Sequence, residues 1–316
     1  MRQHTWLGMV VAGLMLLGGG LTARGEDQLR VIQFIHPGGE HRPDSAEGRS
    51  WNLGPHQRKF LLQRGRYLTG LGAEPREDDL VFWCEYEPPT RLVKTYEPTM
   101  PDGPNHLFAL EPFRFKPRGV PLMNTDPFVF GGRFFYSICK QNNRRGPTAM
   151  QRLQDGSVIL FGSGKGRNRF IVDTIFVVGD SVRWRLEAPR EALEGMVPAE
   201  YFHAAVEPIV DEARILHGEA RGVLRLYRGA TPEEPVEGMF SFFPCLPAGE
   251  GAGKGFARPV IRRPGIITDN LTQGQRMNIV ANLTEAREIW EDVATQVLAQ
   301  GLCLGVYADM PELASE

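Results

Sequence analysis

The sequence lacks most of the signatures that assign a chain to a function on sight. It has four cysteines and no Cys-x-x-Cys pair, so the spacing of a cysteine-rich zinc site is missing. No Gly-x-Ser-x-Gly elbow occurs, which leaves no support for a serine hydrolase of that kind. No stretch recurs at a fixed period, which argues against repeat architectures. The formal net charge is only −2, so no global field draws the chain toward nucleic acid or an anionic membrane, and any electrostatic recognition must be local. Two loops, 162–166 and 251–255, have the Gly-Lys-Gly look of phosphate cradles. In both, Lys165 and Lys254, the lysine is followed by glycine, where a Walker loop needs serine or threonine. An ATP site of the Walker type is set aside.

What is present begins with a leader. Arg2 and His4 precede an apolar run over 6–16, Gly18 to Gly20 break it, and small residues follow. That is the order of a secretory signal peptide, with a core too short and glycine-rich for a membrane span. Residues 1–25 are therefore expected to lie outside the fold. A genuine leader sends the protein to the periplasm or outside the cell; a mis-assigned start leaves it cytoplasmic. No transmembrane domain is expected in the mature chain. The remaining ~290 residues, 26–316, can bury one sizeable core. We expect a single globular domain, with a composition shift near 181–200 marking an alternative division into two subdomains. A hydrophobic fraction of 42% with 23% charged residues is ordinary for a soluble globular protein. Cys84, Cys139, Cys245 and Cys303 permit two disulfides in an exported chain, but no spacing suggests a framework. Cys84 and Cys139 fall in apolar runs and read as buried free thiols.

The pattern is mostly of strands. Residues 29–35, 80–87, 134–141, 157–162, 170–178, 222–227, 238–243 and 302–307 carry the apolar, β-branched and aromatic content of strands. The runs 157–162 and 170–178 face each other across a short glycine-rich basic loop, a hairpin with a flexible tip. Helices are expected over 56–69, over 200–216 with Pro208 bending it, and over 276–300, where Ile279, Leu283, Ala286, Trp290, Val293 and Val297 form a stripe. The proline-rich stretch 97–132 reads as irregular but ordered. Strands and helices do not alternate, so the expected class is α+β. It is β-rich, with a mixed or antiparallel sheet or barrel and a few packed helices, including a long one near the C-terminus.

Four constellations could carry chemistry. His36, Glu40 and His41 follow the first strand, with Asp44, Trp51, Asn52 and His56 after them; three of the seven histidines lie in this span. Imidazole and carboxylate are the ligands zinc-like ions favour. His36 and His41 are thus candidate ligands for a divalent metal, and His36, Glu40, His41, His56 and Asp126 are candidate catalytic groups. Pro37-Gly38-Gly39 forbids the helix that zinc-protease motifs need. A turn with capping histidines is the structural alternative. Basic loops form the next constellation: Lys140, Gln141, Asn143, Arg144 and Arg145, then Lys165, Arg167 and Arg169, then Arg258, Arg262 and Arg263. Grouped on one face, they would contact nucleic acid or a phosphate-bearing ligand. The acidic set Glu85, Glu87, Asp126 and Asp173 comes third. Glu85 and Glu87 share a strand face, suited to acid–base work or to the exposed side of an edge strand. The glycine-lysine loops complete the four.

The stretches 36–41, 83–89, 124–131 and 155–162 resemble a family of bacterial proteins without an assigned activity, so the resemblance supplies no catalytic residues. Residues 79–83 and 156–161 are similar to the short barrel strands of PUA-like modules, and that likeness implies RNA or modified-base binding. Two functions follow as expectations. One is nucleic-acid or nucleotide binding or processing through the basic loops; the other is an exported metal-assisted hydrolase using the His/Glu loop. A non-catalytic interaction protein is a third. The discriminating feature is spatial. Convergence of His36, His41 and His56 with a carboxylate such as Asp126 or Glu85 favours an enzyme, whereas scatter with grouped arginine loops favours binding.

Overall fold

The computed structural model describes residues 26–36, 39–43, 57–97, 102–113, 125–143, 145–272 and 274–314. The expected leader, His56 and Arg144 lie outside them. Along the chain come β1 (Arg30–Ile35), β2 (Arg58–Leu68), β3 (Arg76–Glu85), β4 (Thr90–Thr95) and β5 (His106–Leu110). Short strands β6 (Phe135–Tyr136), β7 (Asn142–Asn143) and β8 (Gly146–Pro147) precede the long hairpin β9 (Val158–Gly166) and β10 (Arg169–Arg185). Helices α1 (Pro189–Leu193), α2 (Ala199–Tyr201) and α3 (Glu207–His217) follow, then β11 (Val223–Gly229) and β12 (Phe243–Pro247). The chain ends with α4 (Ala248–Gly251), β13 (Val260–Ile261), β14 (Gln275–Ile279), α5 (Leu283–Ala299) and β15 (Cys303–Ala308).

Among the described residues these strands form two main mixed sheets. One runs β14-β1-β9-β10-β11-β6, with β13 beside β10 and β1 parallel to β9. The other runs β15-β12-β3-β2-β5-β4, and β15 also pairs with β2, closing β2, β3, β12 and β15 into a four-stranded barrel. The fold is β-rich α+β. Its central strands are apolar on both faces, and the period of two divides their side chains between two cores. Val31, Phe60, Val81, Trp83, Val158 and Leu160 enter one core, which α5 covers with Ala286, Ile289, Trp290, Val293 and Val297. Ile32, Leu61, Phe82, Ile159 and Phe161 enter the other, covered by Tyr201, Phe202, Val206 and Ile209 of the helical segment. Burial on both faces explains why these strands read as unbroken apolar runs.

The structure corrects several expectations. The helix expected over 56–69 is not found among the described residues: β2 runs over Arg58–Leu68, where the segment pairs with β3, β5 and β15. The helix expected over 276–300 is not present at that length. Residues 275–279 pair with β1 as β14, and α5 starts at Leu283. Its start is set by a reciprocal cap: Asn282 accepts from the Glu285 amide, and the Glu285 carboxylate accepts from the amide of Ala281, just before the cap, at 2.6 Å. In the 200–216 region the helix widens into a π-helical turn over Phe202–Val206 just before Pro208, where the missing N–H and ring clash would break an α-helix. The strand expected over 238–243 is displaced: β12 begins at Phe243 and runs through Pro244. The hairpin tip is not a loose glycine loop. Arg167 and Asn168, with φ of 54° and 53°, make a tight two-residue turn, and Asn168 exchanges hydrogen bonds with Asp269.

One irregularity positions the site. The register of β10 against β9 slips between Val172 and Thr174, leaving Asp173 as the extra residue of a bulge. Before it, Phe170 and Val172 face the α5 core; after it, Ile175 and Val177 do. The opposite residue must be glycine, since a Cβ on Gly162 would sit 1.9 Å from the Ile171 carbonyl oxygen. We expect Gly162→Ala to lower the unfolding free energy by about 1–3 kcal/mol, as overpacking does, measured as a fall in the denaturant midpoint at unchanged slope.

Candidate functional site

Arg58 opens β2 in register with Glu85, the last residue of β3. Its side chain is buried between the two sheets, and a guanidinium removed from water needs partners for its donors. Nε donates to Asp173 Oδ2 at 2.5 Å, and Nη2 donates to the His36 carbonyl oxygen at 2.8 Å. The Arg58 amide donates to Gly39, and its carbonyl accepts from His41. Burial works to lower the Arg58 pKa, but the charges of Asp173 and Glu85 outweigh it, so the group stays charged. Asp173 also accepts from Arg258 Nη1 at 2.8 Å, and that guanidinium lies 5.6 Å from the Trp83 ring centre.

Against this scaffold His36 turns inward. Its Nδ1 lies 2.5 Å from Glu85 Oε2, with the residues only 3% and 5% exposed. Phe34 and Phe161 flank the imidazole at 4.7 and 5.7 Å between ring centres. A carboxylate on one ring nitrogen fixes the ring's orientation, the arrangement of a general base. Lys59 Nζ donates to the Pro88 carbonyl, while Lys140 Nζ donates to the Ile35 and Gly274 carbonyls and lies 4.1 Å from the Phe34 ring centre. Burial lowers the Lys140 pKa to about 8. Cys84 and Cys139 are pushed well up, first by burial and then by neighbouring carboxylates. Neither is a thiolate at neutral pH, so neither is an activated nucleophile.

Asp126 is buried and accepts three backbone N–H bonds, from Ser137, Ile138 and Cys139 at 3.0, 3.1 and 2.7 Å. This nest is why the expected strand 134–141 pairs only at Phe135–Tyr136: the next three amides turn to the carboxylate. Burial lifts the Asp126 pKa to about 6 against the pull of these donors.

The same loop that carries His36 inward brings Glu40 and His41 to a cleft of about 640 Å³, shared with Arg42, Tyr96, Asn105 and His106. Glu40 accepts from the Asn105 and His106 amides at 2.8 Å each, and its carboxylate lies 3.6 Å from His106 Nδ1. His41 Nδ1 hydrogen-bonds Gln57 Oε1 at 2.9 Å, with its ring against Phe108. His36 and His41 therefore face different surroundings. Among the described residues no group of three or more His, Cys, Asp or Glu side chains is placed to hold a metal ion.

No family model, curated protein or solved structure matches the chain.

The sequence-derived residues fall into three groups. His36 meets a carboxylate, Glu85, and Cys139 experiences the charges of both Glu85 and Asp126. His36 thus joins the stretches 36–41, 83–89 and 155–162, through its contact with Glu85 and its amide bond to the Gly162 carbonyl. Glu40 and His41 line the cleft. The basic loops are divided: Lys140 serves backbone carbonyls, and buried Gln141 donates to the Arg225 carbonyl and accepts from its amide. Asn143 accepts from the Arg145 amide. Arg145 and Arg167 are exposed and Arg169 half-buried; of Lys165 only the backbone, in β9, is described. Glu85 and Glu87 are both buried, so they do not form the exposed face of an edge strand. Arg58, Lys59 and His106 are not marked by any motif or spacing in the sequence. The signal for the first two is a pair of cations opening a buried apolar strand, where each must find a partner.

Asp126 gives this region a pH signature. Its carboxyl is raised from 3.8 to about 6 in the folded chain, so the fold holds the proton more tightly than the unfolded chain does. The stabilisation is fully present below about pH 4 and is lost as pH rises through 6, a change of about 3 kcal/mol. Denaturant unfolding of Asp126→Asn across this range is expected to lack that falling component.

Proposed function

We propose that the chain is an acid–base hydrolase of a small anionic substrate, with His36 as general base oriented by Glu85. The observation that carries this reading is the 2.5 Å contact between two buried groups, His36 Nδ1 and Glu85 Oε2. Buried titratable pairs are costly unless matched, and they concentrate where proton transfer is needed. In this reading the imidazole takes a proton from the attacking water, and Glu85 stabilises the imidazolium that forms. His41, Arg42 and His106 give the cleft at the far end of the same loop donors suited to an anion, while the charge of Glu40 is met by backbone amides. The test is a panel of chromogenic phosphomonoesters, phosphodiesters, carboxyl esters and glycosides with the full chain. Turnover is expected on an anionic member, falling about 10²–10⁴-fold in His36→Ala and Glu85→Gln. His41→Ala is expected to act mainly on KM. Turnover that survives in folded His36→Ala overturns the reading, as does a silent panel.

A second reading has one observation in its favour. Arg145 and Arg167 point to solvent, and Arg167 sits on a turn held in place by Asn168 and Asp269. In this reading Arg145, Arg167 and Arg169 bind single-stranded nucleic acid. With about three phosphates neutralised, log K should fall against log salt with a slope near −2. Filter binding of an oligonucleotide that shows no salt dependence would sink it.

A further inference from the structure

The four-stranded barrel closes through β12 and β15, whose register sets Cys245 directly opposite Cys303. Directly opposed residues of antiparallel strands point to the same face. Their Cα atoms lie about 4.5–5.5 Å apart, inside the roughly 4.4–6.8 Å range that a disulfide spans. Cys245 Sγ is 3.8 Å from the Cys303 carbonyl oxygen, so the thiol already leans across the gap between strands. Both residues are free thiols; Cys245 is fully buried and Cys303 is partly open to solvent. We propose that Cys245 and Cys303 are an oxidisable pair that closes into a cross-strand disulfide, with Cys303 the sulfur that meets the oxidant first.

The oxidant is a small-molecule disulfide. The Cys303 thiolate attacks one of its sulfurs, the reagent's S–S bond breaks, and one thiolate leaves and takes up a proton. Cys245 then loses its proton to solvent and attacks the Cys303 sulfur of the mixed disulfide. The Cys245–Cys303 bond forms, and the second reagent thiol departs. Two hydrogens and two electrons pass from the protein to the reagent, which ends as two thiols. Burial raises the Cys245 thiol, and the neighbouring Cys303 raises it further; burial and then Glu250 raise Cys303, with Arg76 opposing. Closure is therefore slow at neutral pH and accelerates about tenfold per pH unit until a thiol titrates. Neither cysteine belongs to the His36–Glu85 pair, so the proposal stands apart from the hydrolase reading. Cys84 and Cys139, buried in the core, serve as internal controls.

The experiment treats the native full chain with oxidised glutathione at about pH 8.5, near the ordinary thiol pKa. Remaining thiols are then alkylated in denaturant, and the digest is analysed unreduced by mass spectrometry. The expected result is two alkyl groups per chain in place of four, a Cys245 peptide joined to a Cys303 peptide, and alkylated Cys84 and Cys139. Cys245→Ser should stop at a glutathione adduct on Cys303, and Cys303→Ser should leave Cys245 unmodified. A lasting adduct on Cys303 of the unaltered chain overturns the proposal. So does a crosslink to Cys84 or Cys139, or four unreacted thiols.

Discussion

The relative placement of the two sheets depends on the buried pair of Arg58 and Asp173. Arg58 belongs to the barrel and Asp173 to the other sheet, and the guanidinium also reaches the carbonyl of His36 at the end of β1. A buried ion pair adds little net stability over well-packed apolar groups, because desolvation offsets its Coulomb attraction. What it supplies here is a single solution. Two sheets that are apolar on both faces could slide over each other at modest cost. A planar group with donors fixed in direction, aimed at a carboxylate and a carbonyl, is satisfied in one alignment only.

The site inherits that alignment. Arg58 is the cross-strand partner of Glu85, and its backbone holds both Gly39 and His41, so the loop after β1 is tied to β2 on either side of Glu40. With the loop fixed at those points, His36 faces Glu85 while His41 is carried to the cleft wall. Lys140 supports the arrangement from the other flank by donating to the carbonyl of Ile35, the residue before His36. The buried setting of His36 thus follows from how the sheets are locked.

Much of the strand content could be read from the sequence because it follows local pattern. The hairpin of β9 and β10 and the last strand appear near where alternation and apolar runs put them. What could not be read is what depends on distant pairing. Phe60, Leu61, Tyr67 and Leu68 suit one side of a helix as well as a strand, and only the neighbours β3, β5 and β15 decide between them. Residues 275–279 continue the apolar stripe of α5 backwards, yet β1 offers them a strand partner, and Asn282 with Glu285 marks the true start of the helix. The histidine-rich loop stands out by composition and Glu85 as a carboxylate in an apolar strand; that His36 meets Glu85 and not Asp126 is not legible, because nothing local connects the pair.

The sequence also carries a more general signal. Asp173 interrupts the run Phe170-Ile171-Val172 and Thr174-Ile175-Phe176, Glu85 ends an apolar strand, and Arg58-Lys59 open another. Each is a charge in a segment whose neighbours are buried on both faces. A charge there cannot be a solvated face residue, because no face of the strand is solvated. It must be matched across the fold by an opposite charge or by backbone dipoles. Two basic positions in one strand and acidic positions in two others therefore imply a shared polar seam before any coordinate is known. The bulge at Asp173 is the backbone's way of reaching that seam: one extra residue turns the carboxylate to Arg58 and restores the alternation beyond it.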